Sequence, residues 1–181
     1  MRAMMTAAFA VLALAGCKKE PAAQGPKTMA EVAKESAGLP KPEPGLYRSQ
    51  VELVSMEAPG MPPGMAEQMK KSMAARGSSN EFCLTGAEAG KGYEERVKKL
   101  AGRPDCRFDR YAADGGKLDA QLTCKGQGGM TSVLTMQGTM SPTGSDVTLA
   151  MDQSGSQMPG GGMKMTMKVR SERIGECKGG N

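Results

Sequence analysis

Histidine and tryptophan are absent from all 181 residues, and there are only three tyrosines and three phenylalanines. Without an imidazole, a serine or cysteine nucleophile has no ordinary general base, and zinc or copper has no nitrogen ligand. The aromatics are too few for base stacking. Basic residues occur singly or in pairs, so a net charge of +5 makes no stripe for nucleic acid. Cys-x-x-Cys is missing as well, which argues against a four-thiolate zinc site. The glycine-rich runs Gly126-Gln127-Gly128-Gly129 and Gly160-Gly161-Gly162 neither open a helix nor carry a following Lys-Ser/Thr, so they predict hairpin loops, not phosphate cradles. Asp105, Asp109, Asp114 and Asp119 alternate outward or sit in turns, the pattern of a solvated face and not of paired acid and base. These absences predict a domain that is not an enzyme and takes no cofactor.

What is present begins with an address. Arg2 precedes an apolar run from Ala7 to Ala15, too short for the roughly 20 residues that cross a bilayer, and the sequence turns polar at Lys18-Lys19-Glu20. Leu14-Ala15-Gly16-Cys17 resembles the bacterial lipobox, which implies a signal peptide over 1–16 and a lipidated Cys17 as the new N-terminus. Acyl chains contribute about 0.8 kcal/mol per buried methylene, enough in combination to hold the protein on a membrane. Lys18 in place of Asp resembles the outer-membrane sorting pattern. The expected location is therefore the periplasmic face of the outer membrane, with the lipid anchor as the membrane contact.

Four further cysteines, Cys83, Cys106, Cys124 and Cys177, form the even set expected of disulfides in an exported domain. If Asp114-Gly115-Gly116 forms a three-residue loop, Ala113 faces Lys117, Phe108 meets Leu122 and Cys106 meets Cys124. In a non-hydrogen-bonded pair, opposed Cα atoms lie about 4.5 Å apart, within disulfide range. That register predicts Cys106 with Cys124 and leaves Cys83 with Cys177. Cys83 with Cys106 and Cys124 with Cys177 stays open as the alternative.

Residues 17–44 read as a tether. Proline alternation at Pro40, Pro42 and Pro44 favours an extended spacer. A capping box at Thr28 and Glu31 opens a possible helix from Met29 to Ser36, ended by Gly38, but eight residues are too few to be stable alone, and disorder is expected. The folded domain is assigned to 45–178. Tyr47, Val51 and Leu53 alternate with Arg48, Gln50 and Glu52 as a strand. Met65 to Arg76 predicts a helix ending at Gly77. A short strand follows near Glu81 to Leu84. Gly90 and Gly92 weaken a helix at Thr85-Gly86-Ala87-Glu88, so the second helix is placed over Tyr93 to Leu100. Strands follow to Arg173, including Met130 to Met140, Asp146 to Asp152 and Met163 to Arg173. In the last of these, Met163, Met165, Met167 and Val169 alternate with Lys164, Thr166, Lys168 and Arg170. The fold class is mainly β: a curved antiparallel meander or partial barrel with two short helices packed on one side.

Methionine is the compositional excess, at 17 residues. Met61, Met65, Met69 and Met73 recur every four residues, which gives one helical stripe. Soft thioethers bind Cu(I) or Ag(I), so a periplasmic metal-binding protein is one alternative function. Flexible methionines that fill an irregular core, or line an apolar groove, are the preferred reading. Such a groove suits a carrier of lipid or of a hydrophobic polypeptide, the second alternative.

Pro44-Gly45-Leu46-Tyr47, the Pro-Gly-Met segment at 59–65, Phe82-Cys83-Leu84-Thr85, Cys124-Lys125-Gly126 and Arg173-Ile174-Gly175-Glu176-Cys177 together resemble a bacterial exported family catalogued only as a domain of unknown function (family 3617). The similarity covers about residues 44–177. Family members commonly carry Trp where Tyr47 stands. The resemblance implies a secreted, cysteine-bearing, β-rich domain and brings no activity. The expected function is that of a cell-envelope lipoprotein whose domain binds or scaffolds a protein or apolar partner without catalysis.

Overall fold

Alternating apolar and polar residues, repeated seven times, build one antiparallel sheet. The computed structural model describes residues 25–76, 79–93, 105–156 and 158–178. Its strands are β1 (Gly45–Glu57), β2 (Asn80–Leu84), β3 (Cys106–Asp114), β4 (Lys117–Lys125), β5 (Thr131–Ser141), β6 (Gly144–Ser154) and β7 (Gly162–Gly175). They lie in the order β2-β1-β7-β6-β5-β4-β3, so β3 to β7 form a meander and β1 returns to pair with β7. The sheet is open, with β2 and β3 at its edges. Among the described residues three short helices accompany it: α1 (Met29–Ser36), α2 (Pro63–Arg76) and α3 (Gly86–Lys91).

Because side chains alternate across a strand, the register assembles them into rows. Val51, Val169, Val147 and Gly138 are consecutive partners across β1, β7, β6 and β5. Leu53, Met167, Leu149, Met136 and Ala120 form the next row, and Met56, Met165, Met151, Leu134 and Leu122 the one after. A register shift between Leu53 and Ser55 leaves Val54 58% exposed and brings Met56 back to the apolar side at 7%. The opposite side carries Lys168 and Arg170 around Asp146, and Lys164 beside Asp152. One face is thus apolar and the other charged.

The β3–β4 hairpin corrects the loop inferred from sequence. Asp114 pairs with Lys117, so the loop is only Gly115-Gly116 and Ala113 faces Leu118, not Lys117. Both glycines have positive φ, 54° and 78°, the conformation that suits the right-handed twist of a two-residue hairpin. A bulge between Phe108 and Arg110 absorbs the one-residue difference. Phe108 therefore still meets Leu122, and Cys106 still meets Cys124.

Two helix expectations also change. The expected spacer is ordered over residues 25–44 and belongs to the folded body. Thr28 and Glu31 form the full capping box, and Val32, fully buried, joins Phe108, Tyr111, Leu118, Ala120 and Leu122 in a core. Tertiary burial supplies what eight helical residues lack alone. Lys27 Nζ meets the Glu35 carboxylate, and the Lys27 amide donates to the Phe108 carbonyl, covering part of the β3 edge. The second correction is at 86–91, where α3 forms despite its glycines because Thr85 and Glu88 cap it reciprocally and Ala89 is buried. Residues 94–100 of the helix expected over Tyr93 to Leu100 lie outside the described residues, as does Gly77 beyond α2.

Candidate functional site

Where β1, β7 and β6 lie side by side, apolar alternation changes to serine at one end. Ser49 pairs with Ser171, and Ser171 with Ser145, so three hydroxyls stand in one row across neighbouring strands. They continue the apolar face, being in phase with Val51, Val169 and Val147. A cavity of about 280 Å³ opens over them, walled by Tyr47, Phe82, Leu84 and Tyr93, with Val169 continuing into the valine row. Among the described residues, none of these three hydroxyls has a hydrogen-bond partner. Ser141, also at the cavity, donates to the Gly144 carbonyl.

The wall is fixed from several directions. Tyr47 opposes Phe82 across β1 and β2, their rings stacked at 5.7 Å between centroids and 16° between planes. The Tyr47 hydroxyl lies 2.8 Å from the Glu43 carbonyl and 3.0 Å from that of Pro142, which ties the β1 entry to the β5–β6 turn. Burial pushes the Tyr47 phenol above its usual range, against the opposing influence of Arg173. Arg173, opposite Tyr47, donates through Nε to the Pro44 carbonyl at 2.8 Å and pairs through Nη2 with Glu176. That carboxylate is the main reason its guanidinium holds its proton more firmly than usual. Cys83 and Cys177 form a disulfide with Cα atoms 5.5 Å apart, fastening β2 and hence Phe82 to the chain beyond β7.

Beyond the serines the apolar rows are incompletely covered. Met56, Val147 and Met165 are buried, whereas Val51, Leu53, Leu149, Met151, Met167 and Val169 remain half-buried. The α1 core covers the β3–β4 side, and Tyr47, Leu84 and Ala89 form a separate cluster at the β2 side. Between them runs an apolar stripe with the serine row at one end.

Other residues singled out by sequence fall elsewhere. Cys106 and Cys124 form a disulfide with Cα atoms 4.0 Å apart, joining β3 to β4. Cys17 lies outside the described residues. Met61 occupies the turn before α2, Met65 is 58% exposed and Met69 is half-buried; Met73 is in the last turns of the helix. The stripe therefore does not enter the core at Met65. Asp109 accepts from Thr123 and pairs with Arg107, while Asp119 pairs with Arg110 at 3.0 Å. Among the described residues no group of three or more Cys, Asp or Glu is placed to hold a metal ion. The two glycine-rich runs connect β4 to β5 and β6 to β7. Sequence reading missed Ser49, Ser145 and Ser171. Their signal was serine standing in phase with apolar neighbours, as in Tyr47, Ser49, Val51.

A family model described as "Protein of unknown function (DUF3617)" matches residues 42–177. No curated protein matches the chain, and no solved structure does.

Proposed function

We propose, for a chain that belongs to the DUF3617 family of proteins of unknown function, a non-catalytic binding role at the cell envelope. The domain takes an apolar ligand along the half-buried face of β1, β7 and β6, while a lipidated Cys17 holds it at the periplasmic face of the outer membrane. The observation that carries this reading is the stripe of Val51, Leu53, Leu149, Met151, Met167 and Val169, half-buried between two fully packed clusters. A stripe of flexible methionine and branched side chains accommodates apolar ligands of varied shape. Catalysis is not part of the proposal, since the chain has no histidine and Cys83, Cys106, Cys124 and Cys177 are spent in disulfides.

Two measurements test it. The purified mature domain binds Nile red saturably, and Leu149→Glu abolishes that binding while the circular dichroism spectrum is kept. Unchanged dye binding in the variant overturns the ligand site. Labelled palmitate enters the wild-type precursor and not Cys17→Ala; equal labelling of both overturns the anchor.

A further inference from the structure

We infer that the cavity beneath Tyr47 is a head-group subsite for a single-chain amphiphile with an uncharged, hydroxyl-bearing head, of the monoacylglycerol type. The inference rests on the binding role proposed above and names its ligand class.

Three observations converge on that chemistry. The first is the row of Ser49, Ser171 and Ser145, whose hydroxyls are unpartnered among the described residues and stand in register on adjacent strands. Each hydroxyl both donates and accepts, and directly opposed side chains lie roughly 5 Å apart, a spacing that matches the several oxygens of a glycerol ester.

The second is charge. Among the described residues, none lining the cavity is ionic. Arg173, opposite Tyr47 across β1 and β7, is already engaged by Glu176 and the Pro44 carbonyl. A carboxylate or phosphate placed on the serines would give up its hydration with no free counter-ion among the described residues, a far larger cost than a neutral head meets.

The third is continuity. Next to the serines come Val51, Val169 and Val147, then Leu53, Met167 and Leu149. From Ser49 to Leu53 the strand advances about 14 Å, a track for a medium-length acyl chain. The cavity itself, at about 280 Å³, is close to the lower limit of roughly 300 Å³ for small-molecule sites. It has room for a head and not for a whole lipid, so the chain must run along the stripe. The stacked Tyr47 and Phe82 rings close the far side.

Isothermal titration of the mature domain with monomeric 1-monolaurin and with laurate, alongside Nile red, tests the assignment. Wild type should bind monolaurin about tenfold or more tighter than laurate, and Ser145→Ala/Ser171→Ala should weaken monolaurin about tenfold while Nile red binding is kept. Ser145→Thr/Ser171→Thr, which retains both hydroxyls, should restore most of the affinity. Laurate binding as tightly as monolaurin overturns the uncharged head. Unchanged monolaurin affinity in the alanine variant overturns the serine subsite. With Nile red still bound, either result leaves the apolar stripe standing as a binding face; loss of both ligands from wild type removes the two proposals together.

Discussion

Phe108 and Tyr111 stand three residues apart on β3 yet face the same side of the sheet, edge to face with ring centroids 5.3 Å apart. Regular alternation would send them to opposite faces. The bulge at Asp109 supplies the extra residue, and its carboxylate is held by Thr123 and Arg107. Both rings are 1% exposed, so the α1 core depends on this one irregularity.

Removing Asp109 altogether leaves Phe108 inward, Arg110 outward and Tyr111 inward, which is ordinary alternation. Its deletion should therefore be tolerated, at a cost of about 1–3 kcal/mol in denaturant unfolding. Deleting Ala112 instead throws the residues on its two sides out of phase and should leave the domain unfolded. Equal losses from the two deletions would contradict the assigned bulge.

Ser36 Oγ donates to the Val32 carbonyl at 2.7 Å, so its 2.7 Å contact with Tyr111 has the phenol as donor. Tyr111→Phe removes a donor and leaves Ser36 bonded, costing about 1 kcal/mol. Ser36→Ala leaves a buried phenol unpartnered and should cost more, about 1–3 kcal/mol. Urea unfolding of the two variants gives the order.

Tyr111 also sets an alkaline limit. Burial raises its phenol above the usual value near 10. Above about pH 10 the unfolded chain loses this proton while the folded domain keeps it, so unfolding becomes more favourable as pH rises. Stability should be level from about pH 8 to 10 and fall above it, and Tyr111→Phe should lessen that fall in melts from pH 8 to 11, with the raised Tyr47 phenol accounting for a remainder.

The disulfides differ in span. Cys106 and Cys124 are 18 residues apart, Cys83 and Cys177 are 94 apart. On chain entropy the short loop is worth about 3 kcal/mol and the long one between 4 and 5 kcal/mol, roughly. Paired serine substitutions should rank in that order by thermal unfolding. Loss of the Cys83–Cys177 bond should also free Phe82 from its stack on Tyr47.

Much of the architecture was legible because a half-buried strand must alternate. Met163 to Arg170 gave β7, and Thr28 with Glu31 gave α1 its start. The strength of α1 was not legible, since the burial of Val32 comes from β3 and β4, distant in sequence. At 86–91 a reciprocal cap and one buried alanine outweighed two glycines, a balance that local propensity misjudges. The hairpin at 115–116 read one residue too long because a bulge leaves no residue signature of its own. Ser49, Ser145 and Ser171 were hidden for another reason: each is unremarkable alone, and only the β1–β7–β6 register brings them into one row.

The most direct measurement of the binding face uses methionine methyl groups labelled with carbon-13. On titration with 1-monolaurin, the signals of Met167 and Met151 should shift together and saturate, while exposed Met65 and Met130 stay in place. Shifts confined to Met65 and Met130, or none at Met167 and Met151 at saturating ligand, would contradict a ligand lying on β1, β7 and β6.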